Sequence, residues 1–107
     1  MEFMNIVRME IQPDKMAAWR GVMAGNFQRA MEMGGVPGMV EIRHVQFGEN
    51  KICVVGRWES KEAFMAARPM LVANLDRFRE FLVPGDAGDT DPIAGSVVFS
   101  TQDAANA

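Results

Sequence analysis

The chain has 107 residues, about half of them apolar, with 11 basic and 14 acidic side chains and a net charge of −3. That length fits one domain, and the apolar share is enough for a core rather than a disordered chain. The acidic balance excludes a general nucleic-acid or membrane-surface binder, which needs a basic face. A single cysteine, Cys53, rules out an internal disulfide and fits a reducing compartment. The opening stretch "MEFMNIVRMEIQPD" has no basic n-region and no apolar h-region, and no segment approaches the ~20 apolar residues of a membrane span. A cytoplasmic protein with neither nucleic-acid nor membrane partners is expected.

"FMNIVRMEI" alternates, with Phe3, Asn5, Val7, Met9 and Ile11 on one face and Met4, Ile6, Arg8 and Glu10 on the other, which predicts a strand. Pro13 and Asp14 then open a helix whose positive end Asp14 would complement. Its apolar stripe is Met16, Trp19, Met23, Phe27 and Ala30. Gly34 and Gly35 end it, and Pro37-Gly38 makes a turn. "MVEIRHVQF" and "KICVVGRWE" are two strands around a Gly48–Asn50 hairpin turn. Ser60 is a good N-cap, with Glu62 in the first turn after it. Pro69 cannot sit inside a helix without removing a backbone bond, so a short helix to about Arg68 and a second from Pro69 to Leu82 are expected. "VPGDAGDTDP" is a loop, "IAGSVVFST" the last strand, and residues 102–107 a frayed tail after a single domain spanning 1–101.

The order β-α-β-β-α-β predicts a ferredoxin-like α+β fold: a four-stranded antiparallel sheet with both helices on one face. A bare sheet face should alternate with polar residues, yet "ICVV" and "SVVF" are apolar on both sides, and Met4 and Ile6 back the first strand. The simplest cover is the same face of a second copy, so a homodimer packed sheet to sheet is expected.

The strand "VVGRWES", the N-cap serine, "KEAF" and a broken second helix resemble the antibiotic biosynthesis monooxygenase-like proteins, which are dimeric α/β barrels of about this length. The resemblance runs from Met4 to about Thr101. It implies the fold more firmly than a reaction, because the superfamily holds cofactor-independent oxygenases, haem-degrading enzymes, quinol oxygenases, lactone isomerases and members with no known activity. The haem-degrading branch needs an asparagine, a tryptophan and a histidine at positions occupied here by Val7, Ala67 and Arg77, so that activity is not expected. The oxygenase branch uses no metal or flavin, and none is expected here. It binds a phenol- or hydroquinone-like compound between helices and sheet, helps remove its proton, and lets the carbanion meet dioxygen. The tyrosine partner of those enzymes has no counterpart, because the chain contains no tyrosine.

The candidate residues each carry a plainer alternative. His44 is the only histidine and the one side chain with an ordinary pKa near neutrality; it is either the base or an interface or core histidine. Arg57 and Trp58 are adjacent on a strand and must point to opposite faces. Trp58 either walls a cavity with its N–H free to donate or packs under the helices. Asn5 and Arg68 are the candidate polar anchors, and Trp19 and Phe64 further walls. Cys53 reads as a small hydrophobe that one hairpin register would set diagonally beside His44. Two such ligands do not make a zinc site, so no metal is expected. Two functions remain open: a cofactor-independent monooxygenase-like enzyme acting on a small aromatic compound, or a non-catalytic dimeric domain that binds a small apolar ligand or serves regulation.

Overall fold

The computed structural model describes residues 1–102; the expected tail lies, apart from Gln102, outside them. The elements run β1 (Phe3–Glu10), α1 (Met16–Glu32), β2 (Met39–Gly48), β3 (Lys51–Trp58), α2 (Lys61–Asp76), a 3₁₀ turn (Arg79–Phe81) and β4 (Asp91–Ser96). The strands form one antiparallel sheet in the order β2-β3-β1-β4. This is the expected ferredoxin-like α+β plan.

The alternation of β1 becomes burial. Phe3, Asn5, Met9 and Ile11 are buried beneath the helices, each opposite a helix-side residue of β3 where the two strands pair: Phe3 with Trp58, Asn5 with Gly56, Met9 with Ile52. Two apolar clusters share the helix side. One joins Met9, Ile11, Ile52, Trp19 of α1, Phe78 and Leu82; the other joins Phe3, Trp58 and Ala67 of α2, with Phe64 against it. The chain after β1 is laced to the segment after α2. Gln12 donates its backbone N–H to Phe81 O at 2.7 Å, and Val83 donates to Glu10 O at 2.9 Å. These bonds seat Ile11 against Leu82.

Ser60 caps α2 as expected, its Oγ accepting from the Ala63 N–H at 3.1 Å. Gly38, at φ +77°, lets the preceding turn pass close to that helix start; a Cβ there would overlap Ala63 Cβ. The hairpin is tighter than the Gly48–Asn50 turn expected, because Gly48 pairs with Lys51 and leaves only Glu49 and Asn50 at the tip.

Four expectations fail. The helix break at Pro69 is absent: α2 continues through it to Asp76. Proline removes one N–H and crowds the preceding turn, but the cap before it and the packing of Ala67, Met70 and Leu71 on the core hold one helix together. Replacing Pro69 by Ala restores a donor inside a formed helix, where proline is about 3 kcal/mol worse than alanine. The stiffer unfolded chain of the proline form offsets about 1 kcal/mol of that. Pro69→Ala is therefore expected to raise the midpoint of thermal unfolding; a fall would mean the helix needs its proline.

Second, α1 does not begin at Pro13-Asp14. Asp14 sits at φ +71° in a turn, and Lys15 precedes the first helical residue without a side-chain cap. Third, the stripe of α1 is shorter than its periodicity. Trp19 is buried and Met16, Val22 and Met23 pack beside it, but Phe27 is 66% exposed. Fourth, the last strand is Asp91–Ser96 rather than Ile93–Thr101. Its partner β1 starts at Phe3, which pairs with Ser96. Beyond Val97, which donates to Glu2 O, no strand remains to pair with, and Val98 and Phe99 are 90% and 72% exposed.

Candidate functional site

The helix side of the sheet divides the sequence-derived candidates into two groups. The first is closed. Trp58 has no exposure and its indole Nε1–H donates to Asn5 Oδ1 at 2.8 Å. The ring packs edge-on against Phe64 at 5.6 Å between centroids, and Phe64 lies 5.2 Å from Phe3. Gly56 makes this hydrogen bond fit. It faces Asn5 across the β1–β3 pair, and a Cβ there would overlap Asn5 Oδ1 and stand 3.1 Å from Trp58 Nε1. A glycine inside a strand marks such close approach. Asn5, Trp58 and Phe64 thus form a packed, hydrogen-bonded wedge under α2. Arg68 is exposed on α2 and does not join them.

The second group is open. His44 of β2 pairs with Val54 and points to the helix side, where its ring meets Trp19 of α1 edge-on, 5.6 Å between centroids and 72° between planes. Cys53 pairs with Val45 and faces the other way, so the diagonal His44–Cys53 neighbourhood does not form. Trp19, Arg20 and Met23 of α1 and His44, Gln46 and Ile52 of the sheet line a shallow cleft of about 270 Å³ that opens widely to solvent. His44 keeps solvent access through that opening, while packing on its inner side removes water from the ring. That desolvation lowers its pKa below the ordinary 6.5, so it is neutral at pH 7. Gln46 donates Nε2–H to Glu49 O at 2.9 Å, which turns its Oε1 free to accept. Trp19 is buried, and its indole N–H has no acceptor among the described residues. Such a donor costs about 1–3 kcal/mol when left unmet. No carboxylate lines this cleft.

Another opening, about 460 Å³, lies beneath the loop after Leu82; Arg8 pairs with Asp91 there and Asp89 with Arg79 at 2.8 Å, Glu10, Lys51 and Asp86 also line it, and neither a histidine nor a tryptophan does. The cleft at His44 is therefore the better candidate. Sequence reasoning selected His44 and Trp19 there but passed over Arg20 and Gln46. Gln46 had a signal, since it shares the strand face of His44 two residues on. Arg20 had none beyond its place next to Trp19.

The opposite face of the sheet is apolar in its middle and charged at its ends. Ile6, Cys53, Val55 and Val45 share it with Ile93, which is 64% exposed. At one end Arg57 binds the Glu2 carboxylate through Nε at 3.3 Å and Nη2 at 3.2 Å, with Glu41 3.9 Å away. Arg57 and Trp58 thus lie on opposite faces, as their adjacency requires.

A ferredoxin-like α+β domain with an open cleft between its first helix and the hairpin sheet is the class these features define. The chain has the fold of the antibiotic biosynthesis monooxygenase-like proteins, as its similarity to solved structures shows. A protein from Nitrosomonas europaea described as an antibiotic biosynthesis monooxygenase superposes with a TM-score of 0.73 over 92% of this chain and 91% of its own, at 11% identity. SnoaB from Streptomyces nogalater, a cofactor-independent oxygenase, gives 0.70 over 92% and 95%, at 16% identity. Rv0793 from Mycobacterium tuberculosis gives 0.73 over 94% and 98%, at 14% identity. Neither the protein-family models nor the curated proteins provide a match to the sequence. No helix among the described residues is long and apolar enough to cross a membrane.

Proposed function

We propose that the protein is a cofactor-independent monooxygenase acting on a small phenol- or quinone-type aromatic compound, with His44 as its base. One observation carries the reading: the only histidine of the chain, held neutral, stands on the wall of an apolar-floored cleft in a fold that SnoaB, an oxygenase without cofactor, also has. His44 takes the phenolic proton. The phenolate carbon then bonds to dioxygen, and loss of water from the resulting peroxide leaves a quinone carbonyl; phenol and dioxygen balance quinone and water. Met23, Ile52 and the Trp19 ring supply the apolar floor. Asn5, Trp58 and Phe64 belong to the wedge under α2, and neither they nor Arg68 line the cleft.

Aerobic incubation with single-ring hydroquinones and with anthrones tests this reading. Dioxygen uptake by the native chain, absent in His44→Ala, is the expected result. Uptake equal in the two proteins, or absent from both, sinks it. A second reading, a non-catalytic dimeric domain for a small ligand, is favoured by the closed wedge around Asn5 and Trp58 and by the missing tyrosine. Ligand binding without dioxygen uptake would select it.

Either reading includes a homodimer through the outer sheet face. Its apolar middle, where Ile93 and Val45 stand exposed, is the surface that the same face of a second copy would cover. Val45→Glu places a charge within that patch while leaving the helix-side core untouched. The variant is expected to elute as a monomer on size-exclusion chromatography; co-elution with the native chain at dimer size, or a monomeric native chain, would refute the interface. Location in the cytoplasm belongs to the same proposal and rests on the single unpaired Cys53.

A further inference from the structure

We infer that the cleft at His44 selects an aromatic ring bearing a carboxylate, and that Arg20 is the residue that selects it. The inference deepens the proposed function and rests on the same cleft. Volume sets the first limit. About 270 Å³ lies just under the ~300–1,000 Å³ of pockets for drug-sized ligands, so one ring is held against the cleft wall and any further ring extends through its open side. Its floor of Trp19, Met23 and Ile52 accepts the ring face.

Charge sets the second limit. Arg20 is the one ionised group lining the cleft, and neither an ion pair nor a side-chain hydrogen bond occupies its guanidinium among the described residues. The other arginines near a carboxylate are engaged: Arg8, Arg43, Arg57 and Arg79 all have acidic partners. A free guanidinium beside an apolar floor, with no competing carboxylate, matches a planar carboxylate by two parallel N–H···O bonds. Gln46 Oε1, with its amide nitrogen committed to Glu49, accepts from a ring hydroxyl. The ligand these groups describe is a single-ring hydroxylated aromatic carboxylate, its carboxylate on Arg20 and its hydroxyl toward His44 and Gln46.

Calorimetric titration with 2-hydroxybenzoate and with benzyl alcohol, both under argon, tests the assignment. Binding without dioxygen keeps the outcome separate from turnover. The acid is expected to bind at least tenfold more tightly than the neutral alcohol. Arg20→Gln should reduce that preference to within about twofold, while Arg20→Lys, which keeps the charge and loses the fork, should retain part of it. Arg20 lies exposed on α1 with no partner to lose, so folding is expected to survive both changes; circular dichroism checks this. Equal affinity for acid and alcohol, no binding of the acid, or an acid preference unchanged in Arg20→Gln would each overturn the inference. Tight acid binding without dioxygen uptake would leave it standing and remove only the oxygenase reading.

Discussion

Gly56→Ala is expected to destabilise the protein by about 2–6 kcal/mol. The added methyl overlaps Asn5 Oδ1 and crowds Trp58 Nε1. Overpacking of a close-packed core costs about 1–3 kcal/mol, and forcing apart a buried donor and acceptor adds about 1–3 kcal/mol for the groups left unmet. At a domain of this size, each kcal/mol moves the unfolding midpoint by roughly 4–8 °C, so a drop of about 8 °C or more is expected. Gly21→Ala is the control. Nothing lies within 4 Å of a Cβ at Gly21 on α1, and alanine is the better helix former by about 1 kcal/mol. The same substitution should therefore raise stability at one glycine and lower it at the other. A double-mutant cycle identifies the cause. Asn5→Ala removes the atom the methyl meets, so Gly56→Ala should cost much less in that background. Additive losses would show that the clash lies elsewhere.

The wedge of Asn5, Gly56 and Trp58 also shows what a sequence can and cannot disclose. Asn5 is an awkward residue for a strand, and the β1 alternation placed it correctly on the buried face beside Phe3 and Met9. Its partner was not legible, because the bond depends on the β1–β3 register, which sets Asn5 opposite Gly56. Local chemistry was legible wherever the determining contacts were local: the alternation of β1, the cap at Ser60, the hairpin between β2 and β3. It failed where distant contacts decide. Pro69 reads as a break because its lost bond is local, whereas the packing that holds α2 together is not. The last strand reads as Ile93–Thr101 because its β propensity is intrinsic, whereas its end is set by where β1 begins. Cys53 and His44 were separated by the hairpin register, which sends adjacent residues of paired strands to opposite faces. Arg20 carries no signal at all in a one-dimensional reading, since an unpaired arginine on a helix is ordinary until a cleft appears beside it.

His44→Ala is expected to lower the rate of the proposed oxygenation by about 10²- to 10⁴-fold, the range that a positioned general base contributes. The pH dependence separates this from a merely structural effect. Desolvation lowers the His44 pKa beneath 6.5, so the neutral, proton-accepting form already predominates at pH 7. kcat/KM of the native chain should rise with pH through that lowered value and then level off, and the acid limb should vanish in His44→Gln together with most of the rate. Stability follows the same sign. Between the lowered folded value and 6.5 the unfolded chain binds more protons than the folded one, so His44 makes stability rise with pH across that window and contributes no slope above it. Trp19→Phe keeps an aromatic floor, removes the unmet indole N–H and shrinks the group that shields the imidazole; the acid limb is expected to move toward 6.5. A limb that stays in place after Trp19→Phe would assign the shielding to the sheet alone. A profile flat from pH 5 to pH 8 in the native chain would remove His44 from the reaction.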